Sequence, residues 1–288
     1  MSQNERRTRY SYATQKRGGQ RSTLPESMKI FVINLDRSTD RLSHMAEQLH
    51  RLGYAWERFP ALGPAQIEAM SRTLALPLLR GKCTAPEKGL ALSHYTIWKK
   101  VLEEGIDHAL VLEDDVHFCR DARMLVESIQ EKISRGFCYD IIKLETFLAG
   151  IFVDRQGVNL PGHTGLHRLR SNHSGTAAYI ISRDGCRRMV ERYARADRAV
   201  DLVMFDGDLD EMSVFQWHPA PCIQDMLLRH GSKGIASDIG PARSESDRRS
   251  GWLESLKSPL RGAYYWVETL RVWNRGRIKI RSTYVDGI

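Results

Sequence analysis

The sequence predicts an α/β protein built on a mixed, mostly parallel sheet flanked by helices. The apolar run 30–33 is typical of a buried strand. After Ser38, apolar residues recur at helical spacing as far as Gly53, and 54–59 is a second predicted strand. A strand–helix–strand opening is typical of a parallel sheet with helices on its faces, and 288 residues are enough for a sizeable core.

Further elements follow the same alternation of apolar strands and amphipathic helices. The sequence predicts helices at about 86–104 and around 125–133, and strands at 109–112, 140–144, 177–181 and 214–218. The last of these is predicted to be the final strand of the body. Ser182 is predicted to cap a helix that follows the strand at 177–181. Residues 60–85 are predicted to be irregular, and 146–172 a long loop or hairpin near a site.

Charge divides the chain into three parts. Residues 1–27 carry six Arg or Lys against two acids, and 243–288 carry ten against five, so most of the net charge of +8 lies at the ends. We therefore expect a disordered basic tail at 1–27, a globular domain at 28–242 and a basic, aromatic extension at 243–288. The five scattered cysteines include no CxxC pair, which favours a reducing, cytoplasmic compartment.

Three adjacent carboxylates, Glu113, Asp114 and Asp115, come directly after the apolar strand at 109–112. The carboxyl edge of an open α/β sheet is where such proteins bind ligands. Adjacent anions repel unless a cation or hydrogen-bond donors offset them, and paired carboxylates can hold a hard divalent ion. The alternative is an acidic turn that caps the following helix.

The turn between the first strand and the helix after it offers backbone N–H groups that could bind an anion or nucleotide. Arg37 and Arg41 follow the first strand, where they could pair with phosphates or with neighbouring aspartates. Lys88 lies in the first turn of the helix at 86–104. His94 falls on the apolar face of that helix, where a histidine is usually a core residue rather than a ligand.

Later polar residues are candidates for proton transfer or metal binding. Asp201, Asp206, Asp208 and Asp210 follow the helix that starts near 183, and one of them could accept a proton from an attacking hydroxyl. Asp208 and Asp210 equally fit a solvated acidic face. His218, at the end of the strand 214–218, could complete a site of two carboxylates and one imidazole, or could be a surface residue.

An ordered set of segments resembles glycosyltransferase family 25, the lipooligosaccharide galactosyltransferase group. The segments that carry the resemblance are Phe31-Val32-Ile33-Asn34-Leu35-Asp36-Arg37 with Asp40-Arg41, Glu87-Lys88-Gly89-Leu90-Ala91-Leu92-Ser93-His94, Ala109 to Asp115, Asp140-Ile141-Ile142-Lys143-Leu144, Ser174 to Ser182, and Asp201-Leu202-Val203-Met204-Phe205. Their order and spacing agree over about residues 29–240. Lys88 and Leu90 depart from the family pattern, which leaves the role of Lys88 open.

The resemblance implies a single GT-A-like domain with a mixed, mostly parallel sheet. It also implies inverting transfer of a hexose, usually from UDP-galactose, with Mn²⁺ (or Mg²⁺) as cofactor. It places Asn34, Leu35, Arg37 and Arg41 near the uridine or phosphates, and Lys88 among the donor contacts. Asp114 would contact the nucleotide sugar. Glu113, Asp115 and His218 would hold the metal, and Asp201 or Asp206 would act as base or acceptor contact. UDP-glucose or a UDP-N-acetylhexosamine remains an alternative donor.

The basic ends bear on partners. The segment 260–281 mixes aromatic and basic residues, which suits either peripheral contact with the cytoplasmic face of an anionic inner membrane or a helix packed on the body. No nucleic-acid module is present in the sequence, and the middle of the chain is not basic, so we expect no nucleic-acid partner. Two other functions remain open: a membrane- or polyanion-binding protein on this scaffold, and a metal-dependent phosphohydrolase.

Overall fold

The computed structural model describes residues 28–206, 209–228 and 276–286. These residues form eleven β-strands, seven α-helices and a short 3₁₀ turn. The strands are β1 (Lys29–Asn34), β2 (Glu57–Pro60), β3 (His108–Glu113), β4 (Val116–Phe118), β5 (Ile141–Lys143), β6 (Gly150–Leu160), β7 (Thr164–Leu169), β8 (Ala178–Ser182), β9 (Val214–His218), β10 (Cys222–Gln224) and β11 (Arg277–Arg281). The helices are α1 (Thr39–Leu52), α2 (Pro64–Thr73), α3 (Pro77–Arg80), α4 (Ala85–Glu103), α5 (Ala122–Ser134), α6 (Arg183–Tyr193) and α7 (Val200–Phe205).

Nine of the described strands form one mixed sheet in the order β11-β6-β7-β9-β5-β8-β3-β1-β2. β1 pairs in parallel with both β2 and β3, and β5 pairs in parallel with β9. The other five pairings are antiparallel, so β8, β7 and β11 run against the remaining six strands. The predicted mixed α/β sheet, with most strands pointing one way, is confirmed. β4 and β10 form a separate two-stranded ribbon.

Side chains on the sheet alternate between two hydrophobic layers. On β1, Phe31 and Ile33 face the layer built with α4, α6 and α7, whereas Ile30 and Val32 face the layer built with α1 and α5. This alternation follows from the two-residue period of a strand. It also decides which helices surround each residue at the strand ends.

Several predicted elements are confirmed, and three predictions were wrong. Ser182 caps α6 by accepting a hydrogen bond from the backbone of Gly185, and Gly53 ends α1 with a positive φ of 73°. The segment 60–85 is not irregular, because it contains α2 and α3. The loop alternative for 146–172 was wrong, since β6 and β7 form the hairpin. The strand at 214–218 is β9, but β10 and β11 follow it, so it is not the final strand.

The described part of the C-terminal extension is built into the sheet. β11 pairs along β6, and Ser282 and Tyr284 are buried against the body. Residues 277–281 therefore form a strand rather than the helix considered for 260–281. The rest of that segment lies outside the described residues, as do the tail 1–27 and Asp208, so the predicted membrane contact stays a prediction. No described helix is both long and apolar enough to cross a membrane.

Candidate active site

The site lies at one edge of the sheet, where polar residues end neighbouring strands. Asn34 ends β1 and Glu113 ends β3, and these two strands are parallel neighbours. Lys143 ends β5, and Thr176 lies just before β8, which runs the opposite way between β3 and β5. Strand topology therefore gathers residues from four distant parts of the chain at this edge.

Asn34 is the centre of a hydrogen-bonded cluster with Asp114. The Asn34 Nδ2 donates to Asp114 Oδ2 at 2.7 Å and to the Ser38 carbonyl at 2.9 Å. Arg41 Nη1 donates to Asp114 Oδ1 at 3.1 Å, and Arg58 Nε donates to Asn34 Oδ1 at 3.0 Å. Burial raises the pKa of Asp114, and Asn34 and Arg41 act against that rise. One arginine thus contacts the buried carboxylate, and a second contacts the asparagine that holds it.

Asp115 is buried near the other two carboxylates, and its negative charge is offset by long hydrogen bonds from one amide group. Its relative exposure is 6%, and Gln224 Nε2 lies 3.4 Å from each of its carboxylate oxygens. Burial and the negative charges of Glu113 and Asp114 raise the pKa of Asp115 to about 7. A carboxyl group in this state gains from a nearby cation, which would favour its ionised form.

The β4–β10 ribbon and the 3₁₀ turn after it contribute polar contacts around Asp115. The backbone N–H of Asp225 donates to the Asp115 carbonyl at 2.9 Å. The buried Asp225 carboxylate lies 2.7 Å from His117 Nε2, and the His44 ring stands 4.5 Å from the His117 ring. These contacts fix the backbone that presents Asp115.

Glu113 is turned into the opposite layer and held there by buried groups. Thr176 Oγ1 donates to Glu113 Oε1 at 2.7 Å, and His94 Nε2 lies 3.7 Å from the same oxygen. The Tyr179 hydroxyl lies 2.8 Å from His94 Nδ1, so His94 is a buried residue of the core face, as its position on α4 predicts. Burial opposes ionisation of Glu113, but His94, Thr176 and Lys143 outweigh it, so its pKa is lowered.

A fully buried ion pair lies next to this carboxylate. Lys143 Nζ donates to Glu145 Oε1 at 2.7 Å and to the Gly175 carbonyl, and it stands 4.3 Å from the centroid of the Phe205 ring. Burial lowers the pKa of Lys143 and raises that of Glu145, and each partner acts against the other's shift. Through Gly175, Lys143 fixes the segment that carries Thr176.

Asp201 and Asp206 lie at opposite ends of α7. Asp201 is buried in the first turn, where its Oδ1 accepts from the Leu202 backbone at 3.0 Å, and its charge acts on Lys143. Asp206 follows the last turn, and its Oδ2 lies 3.5 Å from Arg198 Nη1. The charges of Asp201 and Glu113 both act on Lys143, so of the two aspartates it is Asp201 that shares an electrostatic partner with Glu113.

The remaining predicted donor contacts lie around the first strand and the start of α4. Leu35 is half-buried, and its carbonyl accepts from the Ser38 backbone at 2.9 Å, while Arg37 is exposed in the same turn. Lys88 Nζ donates to the Leu79 carbonyl at 3.2 Å. Lys88 therefore ties α4 to α3 in this structure.

The predicted three-ligand metal site of Glu113, Asp115 and His218 is not formed. His218 ends β9, which is three strand spacings from β3, or about 14 Å at ~4.8 Å per spacing. Burial and the nearby His167 lower the pKa of His218. Across 28–206, 209–228 and 276–286, no group of three or more His, Cys, Asp or Glu side chains is placed to hold an ion. Among Glu113, Asp115 and His218, it is Asp115 whose surroundings still fit a cation.

Sequence reasoning missed Arg58, Thr176 and the pair Lys143–Glu145. Arg58 lies in a predicted strand, and pairing of that strand beside β1 would have placed it next to Asn34. A lysine within the apolar run at 140–144 was a signal as well, because a buried ammonium requires an acidic partner.

The fold and the site together define an α/β protein with a charged ligand edge at the carboxyl ends of its strands. The family model described as "Glycosyltransferase family 25 (LPS biosynthesis protein)" matches residues 27–204. The chain belongs to glycosyltransferase family 25, and the resemblance inferred from its motifs is confirmed.

Curated relatives agree with this assignment. The chain is 34% identical over 238 residues to the lacto-N-neotetraose biosynthesis glycosyltransferase LgtE of Neisseria meningitidis serogroup B, covering 77% of this chain and 84% of that protein. It is 32% identical over 244 residues to LgtB of Neisseria gonorrhoeae, covering 79% and 86%. It is 27% identical over 208 residues to the lipooligosaccharide biosynthesis protein lic2B of Haemophilus influenzae, covering 69% and 76%. The protein is therefore a glycosyltransferase.

Proposed function

We propose that this glycosyltransferase moves a hexose, galactose in the first instance, from a UDP-sugar to a lipooligosaccharide or related glycolipid acceptor, with inversion at the anomeric carbon. The proposal is supported by the family and by the names of the relatives, which are biosynthetic enzymes for lacto-N-neotetraose and lipooligosaccharide. The observation that carries it is the cluster of Asn34, Asp114, Arg41 and Arg58 at the ligand edge of the sheet.

The arginines would bind the anionic part of the donor. Arg41 and Arg58 retain donor groups beyond their contacts with Asp114, Asn34 and Asp36, and guanidinium groups suit phosphate oxygens. Asn34 holds both the Asp114 carboxylate and Arg58, so it fixes the relative orientation of the two. Asp114 is then placed to accept a hydroxyl hydrogen bond from the nucleotide sugar.

A divalent ion, Mn²⁺ or Mg²⁺, would be held by Asp115 together with donor phosphate oxygens. This fits the weak compensation of the Asp115 carboxylate and the preference of such ions for one or two carboxylates plus substrate phosphates. When bound, the ion would stabilise the charge that develops on the departing nucleotide diphosphate. The contacts of Gln224 and Asp225 would keep the Asp115 segment in place.

Asp201 is the base that we propose for the acceptor. The acceptor oxygen forms a bond to the anomeric carbon as the bond from that carbon to the diphosphate oxygen breaks, and the acceptor proton passes to Asp201. A single displacement of this kind inverts the anomeric centre. The burial of Asp201 and its connection with Lys143 support it over Asp206, which lies beside Arg198.

A donor screen tests the proposal. We expect UDP-galactose with Mn²⁺ to raise the melting temperature of the protein. After transfer to a methyl β-glycoside, NMR should show that the new linkage has the anomeric configuration opposite to that of the donor sugar. Asp115→Asn should lose the Mn²⁺-dependent part of both effects. The matched control is Asp184→Asn, an exposed acid on α6. If no UDP-sugar stabilises the protein and no transfer occurs, the proposed function is wrong.

A further inference from the structure

Phe147 is an aromatic side chain that the hydrophobic core does not use. It lies in the segment after β5 and is half-buried. Within the described part of the chain, its ring belongs to neither hydrophobic layer and pairs with no other aromatic ring. Phe147 therefore adds apolar surface next to the residues at the end of β5.

The backbone around this ring is held on both sides. The Phe147 N–H donates to His173 Nε2 at 3.3 Å, and His173 Nδ1 lies 2.7 Å from Gln216 Oε1. The Leu148 N–H donates to Thr146 Oγ1 at 2.9 Å, and Leu148 has φ 55°, a left-handed conformation that is costly for a leucine. These bonds fix the backbone from which the Phe147 side chain projects.

The ring lies against the residues that position Glu113. Gly175 has φ 94°, and a side-chain carbon built there would come within 2.3 Å of Phe147 Cε2 and 2.4 Å of Glu145 Oε1. Only glycine therefore fits between the ring and the buried ion pair. The next residue is Thr176, which donates a hydrogen bond to Glu113. Lys143 donates to the Gly175 carbonyl, and the negative charge of Asp201 acts on the same lysine.

We infer that Phe147 is the platform on which the acceptor sugar ring stacks. One face of a hexopyranose carries several C–H groups, and these are attracted to the electron-rich face of an aromatic ring. Binding sites combine such apolar surfaces with a few fixed polar groups. Here Glu113 and Asp201 are connected to the ring through Thr176, Gly175 and Lys143. This inference rests on the proposed function and adds the acceptor-binding residue to it.

Kinetics with two substrates separate an acceptor role from a structural one. The acceptor probes are methyl β-glucoside and methyl N-acetyl-β-glucosaminide, because a nitrophenyl group would itself stack on a phenyl ring. We expect Phe147→Leu, which keeps apolar volume but removes the ring face, to raise the acceptor KM at least about 5-fold while the KM for the UDP-sugar stays unchanged. Phe147→Trp should keep the acceptor KM within about 2-fold, since it retains an aromatic face.

The matched control is Phe137→Leu, because Phe137 packs on Tyr139 and Phe215 away from the site. It should leave the acceptor KM unchanged. An unchanged acceptor KM in Phe147→Leu, or an equal rise in the donor KM, would overturn the inference.

A binding measurement keeps the test independent of turnover. In saturation-transfer NMR with the methyl glycosides, the C–H protons of one sugar face should receive saturation from the wild-type protein and lose it in Phe147→Leu. A wild-type protein that binds the glycosides without transferring any hexose would count against the proposed function alone. Equal saturation in the wild type and in Phe147→Leu would count against the platform alone.

Discussion

Asn34 and Asp114 are 80 positions apart in the chain and are joined by a hydrogen bond of 2.7 Å. The bond exists because β1 and β3 are parallel neighbours whose carboxyl ends meet at the same edge. Asn34 is 1% exposed and also accepts from Arg58, so it links a cation to a buried carboxylate. The hydrogen bonds that join Arg58 to Asp114 at this edge of the sheet therefore pass through one amide side chain.

Replacing that amide should destabilise the protein. Asn34→Ala removes a donor from the buried Asp114 carboxylate and an acceptor from Arg58, so we expect a loss of about 1–3 kcal/mol in the free energy of unfolding, measured in urea. The KM for the UDP-sugar should rise in the same variant. Asn159→Ala, at an exposed position of β6, is the matched control and should change neither quantity. Equal stability of the two variants would contradict the role assigned to Asn34.

The stability of the protein should fall with rising pH when divalent ions are removed. The pKa of Asp115 is about 7 in the folded protein against 3.8 for the free side chain, so the folded state binds more protons between about pH 4 and pH 7. The free energy of unfolding in EDTA should therefore decrease across that interval and remain low above pH 7. The reason is that burial and the neighbouring carboxylates oppose the charged form.

Asp115→Asn should remove this decrease and make the protein more stable than the wild type at pH 8, by a few kcal/mol at most. Asp184→Asn, at an exposed acid, should keep the wild-type pH dependence. The measurement is urea unfolding at several pH values. A wild-type stability that rises between pH 4 and pH 7 in EDTA, with no difference in Asp115→Asn, would show that Asp115 is not strained by its neighbours.

The buried pair Lys143–Glu145 should be costly to break from one side. Both side chains are fully buried, so Lys143→Met leaves an uncompensated acid and should lower the free energy of unfolding by about 3–5 kcal/mol. The double variant Lys143→Met with Glu145→Gln should recover part of the loss because no unpaired charge remains. Lys100→Met, which breaks an exposed pair with Glu104, should cost less than about 1 kcal/mol. Additive losses in the double variant would argue against coupling.

Local patterns predicted much of the sheet but not its order. The apolar run of β1, the cap at Ser182 and the carboxylates after β3 are encoded within a few neighbouring residues, and all lie where the sequence placed them. The helix α2 was missed because none of its residues is buried, so it carries no clear apolar stripe. His218 was assigned to the metal because nothing in its spacing shows that β8 and β5 lie between β9 and β3.

The hydroxyl of Thr176 should act on the reaction through Glu113. Thr176→Val keeps the shape but removes the donor to Glu113 Oε1, and Glu113 is a polar group of the acceptor site that we infer. We therefore expect kcat/KM to fall about 10- to 100-fold, as for other groups that orient a functional carboxylate. Because the Thr176 hydrogen bond lowers the pKa of Glu113, its loss should also move the acidic limb of the pH–rate profile to higher pH. Thr176→Ser, which retains the hydroxyl, should restore both. The control is Thr164→Val, because the buried Thr164 also donates, to the Pro161 carbonyl, but lies at the β6–β7 turn. An unshifted profile with reduced activity would mean that Thr176 supports the fold rather than the charge of Glu113.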